Sequence, residues 1–220
     1  MSPRTHQLDD RLHAYLLAHG VREPAVAARL RERTQAHPKA AMQISAEQGQ
    51  LLAFLVETLQ ARRVLEVGTF TGYSALRMAL ALPEGGELVC CDVSEAWTAI
   101  AREAWAEAGV ADRVTLHLAP ATETLARLRS EGAEGTFDLA FIDADKEGYG
   151  AYVDACHALL RPGGLVAIDN VFWSGAVADP TRDDPDTRAL KALNATLVAD
   201  ERWGLAMLPI GDGCTLLRRR

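Results

Sequence analysis

The sequence predicts a doubly wound α/β fold: a mainly parallel seven-stranded sheet with helices on both faces and an antiparallel C-terminal hairpin. Three observations lead to this prediction. Five short apolar runs with little polar alternation follow residue 62, as is typical of parallel strands buried on both faces. Helical stretches separate these runs. Two further apolar runs are joined by Gly211-Asp212-Gly213, in which Asp-Gly signals a hairpin turn.

Residues 1–60 predict a helical N-terminal cap on this sheet. DDRLHAYLLAHG ends on a glycine, and EPAVAARLRERTQAH has a proline near its first turn and stops before Pro38. SAEQGQLLAFLVETLQA opens with Ser45 and Gln48, a capping-box pattern. Because no interdomain linker follows, we expect a single domain of residues 1–220, with its Rossmann-like core at residues 61–220.

Strands and helices alternate through the predicted core. The five strands are expected at RVLEVG, ELVCCDV, RVTLHLA, FDLAFIDA and GLVAIDN. The helices between them are expected at YSALRMALAL, EAWTAIAREAWAEAG, TETLARLRSEG and GYGAYVDACHALL. One more helix, TRALKALNATLVAD, precedes the final strands WGLAMLPI and CTLLRRR. In such sheets, ligands bind at the carboxyl ends of the strands.

The composition excludes several classes of protein. Apolar residues make up 49% of the 220 residues and charged residues 24%, which excludes global disorder. No apolar run approaches the ~20 residues that span a bilayer. The N-terminus has no apolar signal core, so we expect a cytoplasmic protein without a membrane partner. The formal charge of −7 argues against a nucleic-acid partner, which favours a basic face.

The cysteines and histidines form no metal-binding pattern. Cys90, Cys91, Cys156 and Cys214 stand in apolar stretches without zinc spacing, so we expect buried, reduced thiols. The six histidines include no His-x-x-x-His pair. A transition-metal site built from these residues is therefore not expected.

The first strand-to-helix turn, EVGTFTGYS at residues 66–74, indicates the kind of ligand. Gly68 and Gly72 permit a tight turn, but Phe70 stands where a dinucleotide motif has its second glycine. Glu66 adds negative charge where a diphosphate would lie, which favours a cationic ligand. Asp92, twenty residues after Gly72, ends the next strand and is suited to hydrogen-bond ribose hydroxyls. A cationic ligand with a ribose and no diphosphate points to S-adenosylmethionine.

Charged and amide side chains follow two other strands. FIDADK, residues 141–146, ends with Asp143, Asp145 and Lys146, and AIDN, residues 167–170, ends with Asp169 and Asn170. Carboxylates at the ends of buried strands are costly unless something neutralises them. The sequence therefore predicts a site at which a cation meets these groups.

The chain resembles the metal-dependent O-methyltransferases of the caffeoyl-CoA and catechol type. The resemblance covers about residues 40–218. The segments that carry it are MQISAEQGQLL, LEVGTFTGYSAL, ALPEGGELV, FDLAFIDADKEGY, RPGGLVAIDNVFWSG and LPIGDGCTLLRR. It implies the Rossmann-like methyltransferase fold and a homodimer, for which the apolar N-terminal helices are a candidate surface.

The resemblance also implies a divalent metal and a catalytic lysine. The family's metal ligands correspond to Asp143, Asp169 and Asn170, and its base or phenol activator corresponds to Lys146. Oxygen ligands of this kind suit Mg²⁺, or else Ca²⁺ or Mn²⁺, better than zinc. Two positions left open on the metal would suit the adjacent oxygens of a catechol.

The family's adenosylmethionine contacts correspond to Met42, Ile44, Glu66, Gly68, Ser74, Asp92, Ala121, Asp143 and Asp145. Two positions depart from the family pattern, since Ile44 replaces a threonine-like residue and Gln48 an acidic one. The expected product is S-adenosylhomocysteine.

The acceptor side is described less fully by the sequence. Trp173, just beyond Asn170, is a candidate to stack on an aromatic acceptor, or else a core residue. Tyr149 and Tyr152 are expected to be packing residues. The proline- and aspartate-rich loop within residues 175–186 is either a lid or an exposed connection.

These observations predict an enzyme that methylates a hydroxyl of a small catechol-like or vicinal-dihydroxy phenol, using S-adenosylmethionine and a divalent metal. Three alternatives stay open. One is O-methylation of a hydroxylated uridine in tRNA, which a basic rim around the site would favour. The others are a nicotinamide-dependent dehydrogenase, against which Phe70 and Glu66 argue, and a non-catalytic protein that binds adenosylmethionine.

Overall fold

Seven strands form one sheet in the computed structural model, which describes residues 5–220. The strands are β1 Arg63–Val67, β2 Glu87–Asp92, β3 Val114–Leu118, β4 Phe137–Ile142, β5 Leu160–Ile168, β6 Trp203–Leu208 and β7 Cys214–Arg219. They lie in the order β3-β2-β1-β4-β5-β7-β6. The five strands β1 to β5 pair in parallel, and β7 pairs antiparallel with both β5 and β6. The predicted fold class and its C-terminal hairpin are confirmed.

Eight α-helices cover the sheet within the described residues. They are α1 Asp10–Gly20, α2 Ala25–Gln35, α3 Ala46–Leu59, α4 Tyr73–Ala81, α5 Glu95–Glu107, α6 Ala121–Ser130, α7 Tyr149–Leu159 and α8 Pro185–Ala199. Ser45 caps the start of α3 as predicted, because its hydroxyl accepts a hydrogen bond from the backbone amide of Gln48 at 3.3 Å.

The core has two layers, one on each face of the sheet. Buried side chains of α2, α3, α4 and α5 pack on one face and those of α6, α7 and α8 on the other. Side chains alternate along a strand, so Val64 of β1 belongs to the first layer and Leu65 and Val67 to the second. Burial on both faces explains why the strand sequences are almost continuously apolar.

The helical cap joins this core through α2 and α3. Helix α1 buries none of its residues, whereas α2 and α3 bury several. A polar contact reinforces the junction. Arg31 on α2 forms an ion pair with Glu23 at 2.9 Å, and the Tyr73 hydroxyl at the start of α4 donates to Glu23 at 2.5 Å. The cap is thereby tied to the helix that follows β1.

Strand β5 begins earlier than the sequence predicts. We expected a strand from Gly164, but Leu160 already pairs with Phe137 of β4. The pairing then shifts register before Leu139, so residues Arg161–Gly164 form an irregularity inside the strand rather than a loop. The preceding helix ends at Leu159 as a consequence.

The cysteines are buried as predicted within residues 5–220. The four cysteines are all buried and free of disulfides. No helix in this part of the chain is both long and apolar enough to cross a bilayer.

Asp138 of β4 connects the amino-terminal ends of β1, β4 and β5. These ends lie opposite the carboxyl ends at which the site is predicted. Its carboxylate accepts the backbone amides of Arg62 at 2.8 Å and Arg63 at 3.0 Å, and the Arg161 guanidinium at 2.6 Å. Burial alone would raise the pKa of Asp138, but the bonds from Arg161 and from the two amides lower it below its ordinary value.

We expect Asp138→Ala to lower the free energy of unfolding by about 1.5–3 kcal/mol at pH 6, the size of a hydrogen bond to a charged group. Because the folded-state pKa is depressed, this contribution is complete above the unfolded-state value of about 4 and is lost as pH falls further. Urea titrations at pH 6 and pH 3.5 measure it. Asp154→Ala, which removes one exposed ion pair with Arg202, is the control and should cost under about 1 kcal/mol. A variant as stable as the wild type at pH 6 would contradict this account.

Candidate active site

A cavity of about 1240 Å³ opens at the carboxyl ends of the parallel strands. Its size exceeds the roughly 300–1,000 Å³ of most ligand pockets, so there is room for two molecules. Twelve of the thirteen predicted site residues line it: Met42, Ile44, Gly68, Ser74, Asp92, Ala121, Asp143, Asp145, Lys146, Asp169, Asn170 and Trp173. Residues separated by 131 positions in the sequence, from Met42 to Trp173, are thus brought to one place.

Gly68 allows the ends of β1 and β4 to meet. It has a φ of +92°, and a Cβ atom built on it would lie 1.9 Å from the carbonyl oxygen of Asp143. No side chain fits between these two backbones. Glycine is therefore required here both by the conformation and by the close approach of the strand that carries Asp143.

Asp92 organises the loop after β1. One carboxylate oxygen accepts the backbone amides of Thr69 at 3.0 Å and Phe70 at 2.8 Å, and the other accepts that of Ser94 at 2.8 Å. The side chain still lines the cavity and keeps lone pairs for a ligand. Asp92 is therefore positioned by the loop that it holds.

Glu66 is the one predicted site residue that does not line the cavity. Side-chain alternation turns it to the face of β1 that carries Val64, beneath α3 and α4, and it is not among the residues that line the cavity. It is fully buried, and burial raises its pKa to about 7, although the Ser74 and Thr69 hydroxyls lie close enough to oppose the rise. Because Ser74 itself lines the cavity, the contact of Glu66 with the cofactor stays a prediction.

Apolar and aromatic side chains form the wall next to Asp92. Phe70 has a φ of +52°, and its ring packs edge-on against His37 at 5.3 Å and Trp97 at 5.4 Å between centroids. Phe70, Trp97 and the exposed Val93 all line the cavity. A flat, apolar ring system fits this wall, whereas the close backbone approach of a diphosphate at Phe70 does not.

The cap contributes the rim of the cavity on the other side. Ile44 is buried, while Met42 is half exposed. Gln48 lines the cavity and is buried, and its side chain lies close enough to Asp169 to act against the raised pKa of that carboxyl. The cap therefore reaches the acidic end of β5 through Gln48.

Lys146 is the centre of the site. Only 7% of the residue is exposed, and its ammonium lies near the rings of Tyr149 and Trp173. Four oxygens lie within hydrogen-bond distance of Nζ: Tyr149 Oη at 2.6 Å, Asn170 Oδ1 at 2.6 Å, Ala144 O at 3.0 Å and Asp143 Oδ1 at 3.2 Å. One buried cation therefore links the ends of β4 and β5.

Two buried carboxylates adjoin this lysine. Burial raises the pKa of Asp143, an effect that Lys146 opposes. Burial also raises the pKa of Asp169, and the neighbouring Asp143 carboxylate raises it further. Among residues 5–220, the Lys146 ammonium is the one basic group that acts on both carboxylates. One positive charge therefore faces two buried carboxyl groups. The sequence predicted such an excess of acidic groups at these strand ends.

Asn170 completes the set of oxygens. It has a φ of +59°, which asparagine tolerates better than most residues, and its backbone amide donates to Asp169 Oδ1 at 2.7 Å. Within residues 5–220, no group of three or more His, Cys, Asp or Glu side chains is arranged to hold a metal. A metal here would depend on the amide oxygen of Asn170 beside Asp143 and Asp169, and three oxygen donors of this type fit Mg²⁺.

Two tyrosines that we expected only to pack also hold the site. Tyr149 accepts a hydrogen bond from Lys146, and the Tyr152 hydroxyl donates to Asp145 Oδ1 at 2.6 Å. Asp145 in turn accepts the Gly148 amide at 3.0 Å. The spacing is the signal that was missed, since Tyr149 and Tyr152 stand one helical turn apart at the start of α7.

The loop before α8 forms part of the cavity wall. Lys191 of α8 donates to the carbonyls of Asp179 at 2.6 Å and Arg182 at 2.8 Å, and Asn194 donates to that of Val171 at 2.9 Å. These bonds fasten the middle of the loop, and the segment that precedes it, to α8. They favour a fixed connection over a lid for residues 175–186.

Known proteins resemble this chain over almost its whole length. Residues 18–220 match the family model described as O-methyltransferase. A mouse protein named catechol O-methyltransferase domain-containing protein 1 is 41% identical over 208 residues, covering 94% of this chain and 79% of that protein. A caffeoyl-CoA O-methyltransferase of Eucalyptus gunnii is 39% identical over 219 residues, covering 96% and 88%.

Solved structures agree with the fold. The O-methyltransferase TomG of Streptomyces achromogenes, solved with SAM, has a TM-score of 0.85 at 32% identity and covers 95% of this chain and 96% of its own. An O-methyltransferase of Bacillus cereus, solved with SAH, has a TM-score of 0.87 at 30% identity and covers 96% and 97%.

Proposed function

This chain belongs to the O-methyltransferase family, and from that premise we propose that it methylates one hydroxyl of a small catechol-like phenol. The methyl donor is S-adenosylmethionine, and a divalent metal is held by Asp143, Asp169 and Asn170. One observation carries the proposal. Lys146 is buried among Asp143, Tyr149 and Asn170 at the floor of a cavity large enough for a donor and an acceptor.

The donor half of the cavity has the features that adenosylmethionine requires. Asp92 is directed to the ribose, and the wall of Phe70, Val93 and Trp97 suits the adenine ring. Ser74 lies in the first turn of α4, where backbone amides without helical partners attract the amino-acid carboxylate. Asp145 supplies a negative charge for the ammonium group. Bound there, the sulfonium supplies the methyl group for a direct displacement.

The acceptor half is built around Lys146 and the three oxygen ligands. When bound, the metal would lower the pKa of the phenol and attract its oxygens. Lys146 holds its amine where the phenol proton is released, and Trp173 offers an aromatic face beside it. Asp143, Asp169 and Asn170 would hold this metal and, with it, the acceptor's oxygens, so that much of the acceleration would come from positioning.

The charge of the cavity favours a small acceptor over RNA. Six aspartates line it, against two basic residues, Lys146 and Arg182. A nucleic-acid substrate needs basic contacts to its phosphates, and among the described residues only these two basic side chains line the cavity. The dehydrogenase alternative is also disfavoured, because the Phe70 ring occupies the turn at which a diphosphate would approach the backbone.

The proposal is tested by methyl transfer from tritium-labelled adenosylmethionine to a panel of catechols, with Mg²⁺, with EDTA, and with Mg²⁺ restored. We expect turnover that disappears with EDTA and returns with Mg²⁺. A turnover rate that EDTA does not change would contradict the proposed dependence on a divalent metal. Binding of adenosylmethionine without turnover on any catechol would overturn the small-phenol part and direct attention to RNA or larger acceptors.

We expect Asp169→Ala to lower Mg²⁺-dependent turnover by about 100-fold or more, because charge stabilisation by a metal contributes several kcal/mol. Its Kd for adenosylmethionine, measured by calorimetry, should stay within about twofold of the wild type. Asp186→Ala is the matched control, since Asp186 also lines the cavity but is not one of the four groups within hydrogen-bond distance of Lys146. Loss of donor affinity in Asp169→Ala comparable to its loss of turnover would contradict a role confined to the metal.

A homodimer and a cytoplasmic location stay predictions. Apolar side chains are exposed on two cap helices, namely Leu12 and Tyr15 on α1 and Phe54 on α3, which supports a second copy of the chain as their cover. Light scattering during gel filtration decides the oligomeric state.

A further inference from the structure

The segment that follows β5 has an unusual backbone. Asn170, Trp173, Ser174 and Gly175 have φ values of +59°, +50°, +50° and +83°. Positive φ is rare outside glycine, and for a bulky residue such as Trp173 it is an outlier. For residues other than glycine this conformation is strained and persists only where the surroundings impose it. This segment carries both a proposed metal ligand and the proposed acceptor wall.

The turn between β6 and β7 imposes that backbone. The carboxylate of Asp212 accepts the Ser174 amide at 2.7 Å, and its backbone carbonyl accepts the Phe172 amide at 2.9 Å. The next carbonyl, of Gly213, accepts the Val171 amide at 3.2 Å. Three bonds from two adjacent residues therefore fix the segment on which Trp173 stands.

The turn between β6 and β7 is also packed closely against the segment that follows β5. Gly213 has a φ of +85°, and a Cβ atom there would lie 2.5 Å from the Phe172 ring. The turn is thus pressed against the segment, with no room for a side chain between them. Asp212 and Ser174 both line the cavity beside Trp173.

We propose that Asp212 is a positioning residue for the acceptor: its carboxylate holds Ser174 in the left-handed conformation and so sets the Trp173 ring over the Lys146 ammonium. The inference rests on the proposed function, since it assigns the acceptor to this wall. Asp212 acts on the reaction through Trp173 and does not contact the transferred methyl group. The donor half of the cavity lies on other strands and is unaffected.

Three variants separate this role from a general loss of structure. Asp212→Ala removes the acceptor of the Ser174 amide, and Asp212→Asn retains a side-chain oxygen that accepts it without the charge. Ser174→Gly makes the left-handed conformation inexpensive. We expect Asp212→Ala to lower kcat/KM for a catechol by about 10-fold or more, mainly through KM, with the Kd of adenosylmethionine within about twofold. Asp212→Asn should recover most of the loss, and Ser174→Gly combined with Asp212→Ala should recover part of it.

Amide hydrogen exchange gives a readout that does not depend on turnover. In Asp212→Ala, peptides covering residues 171–175 should exchange faster, while peptides covering the loop at residues 68–72 should not change. If the wild type methylates no catechol, the proposed function fails, and exchange alone then decides the inference. Unchanged exchange at residues 171–175, unchanged kcat/KM in an active enzyme, or an equal loss of donor affinity would each overturn it.

Discussion

Lys146→Met is expected to lower kcat for catechol methylation by about 10²–10⁴-fold, the usual contribution of a positioned acid or base. Methionine is close to lysine in length and flexibility, so the apolar stem stays in place while the amine is lost. The Kd of adenosylmethionine should remain within about twofold, because the two shortest Lys146 contacts, to Tyr149 and Asn170, lie in the acceptor half. Single-turnover kinetics and calorimetry measure the two quantities separately.

The chain offers a matched control for this variant. Lys39 is one of only three lysines, and it is exposed in the cap, outside the residues that line the cavity. Lys39→Met should therefore leave both kcat and donor affinity unchanged. Arg182 is the other basic residue of the cavity wall, but it is paired with Asp184 at 3.2 Å. A Lys146→Met enzyme that retains most of its kcat would exclude the amine from proton transfer.

The second large effect is expected in donor binding. Asp92→Ala should weaken the binding of adenosylmethionine by about 10- to 100-fold, which corresponds to losing charge-assisted hydrogen bonds worth roughly 1.5–3 kcal/mol. Two losses combine here. The ribose loses its acceptor, and the amides of Thr69 and Phe70 lose the carboxylate that fixes the loop after β1.

Calorimetric titration with adenosylmethionine tests this expectation, and Asp92→Asn separates its two parts. Asparagine retains one oxygen for the loop but carries no charge, so we expect an intermediate Kd. Asp154→Ala serves as the control for removing a carboxylate from the surface. Wild-type affinity in Asp92→Ala would show that the carboxylate serves the loop alone and that the ribose is held elsewhere.

The sequence predicts the fold well because local and global signals agree in this chain. Parallel strands buried on both faces read as apolar runs, and each run is separated from the next by a helical pattern. The exception is β5, where an irregular pairing with β4 extends the strand back to Leu160. Pairing of that kind depends on a neighbouring strand and leaves no mark in a local pattern.

The sequence predicted most residues that line the cavity, but it did not predict the residues that hold them in place. Residues at strand ends, such as Asp143 and Asp169, are brought together by the topology of the sheet, so motifs at those positions predict their proximity. The orientation of a side chain at the second-to-last strand position is less predictable. Glu66 illustrates this, because strand alternation directs it into the interior. Tyr149 and Asp212 were missed because their roles are hydrogen bonds to other site residues, which depend on tertiary contacts.

The position of β7 has a consequence for how the chain is made. Strand β7, the last in chain order, lies inside the sheet between β5 and β6. Until residues 214–219 have been synthesised, the outer edge of β5 has no partner and offers a row of free backbone groups to other nascent chains. The turn that carries Asp212 also lacks one of its two flanking strands until then. We therefore expect ribosome-bound intermediates that end before residue 214 to require chaperones and to lack the acceptor wall.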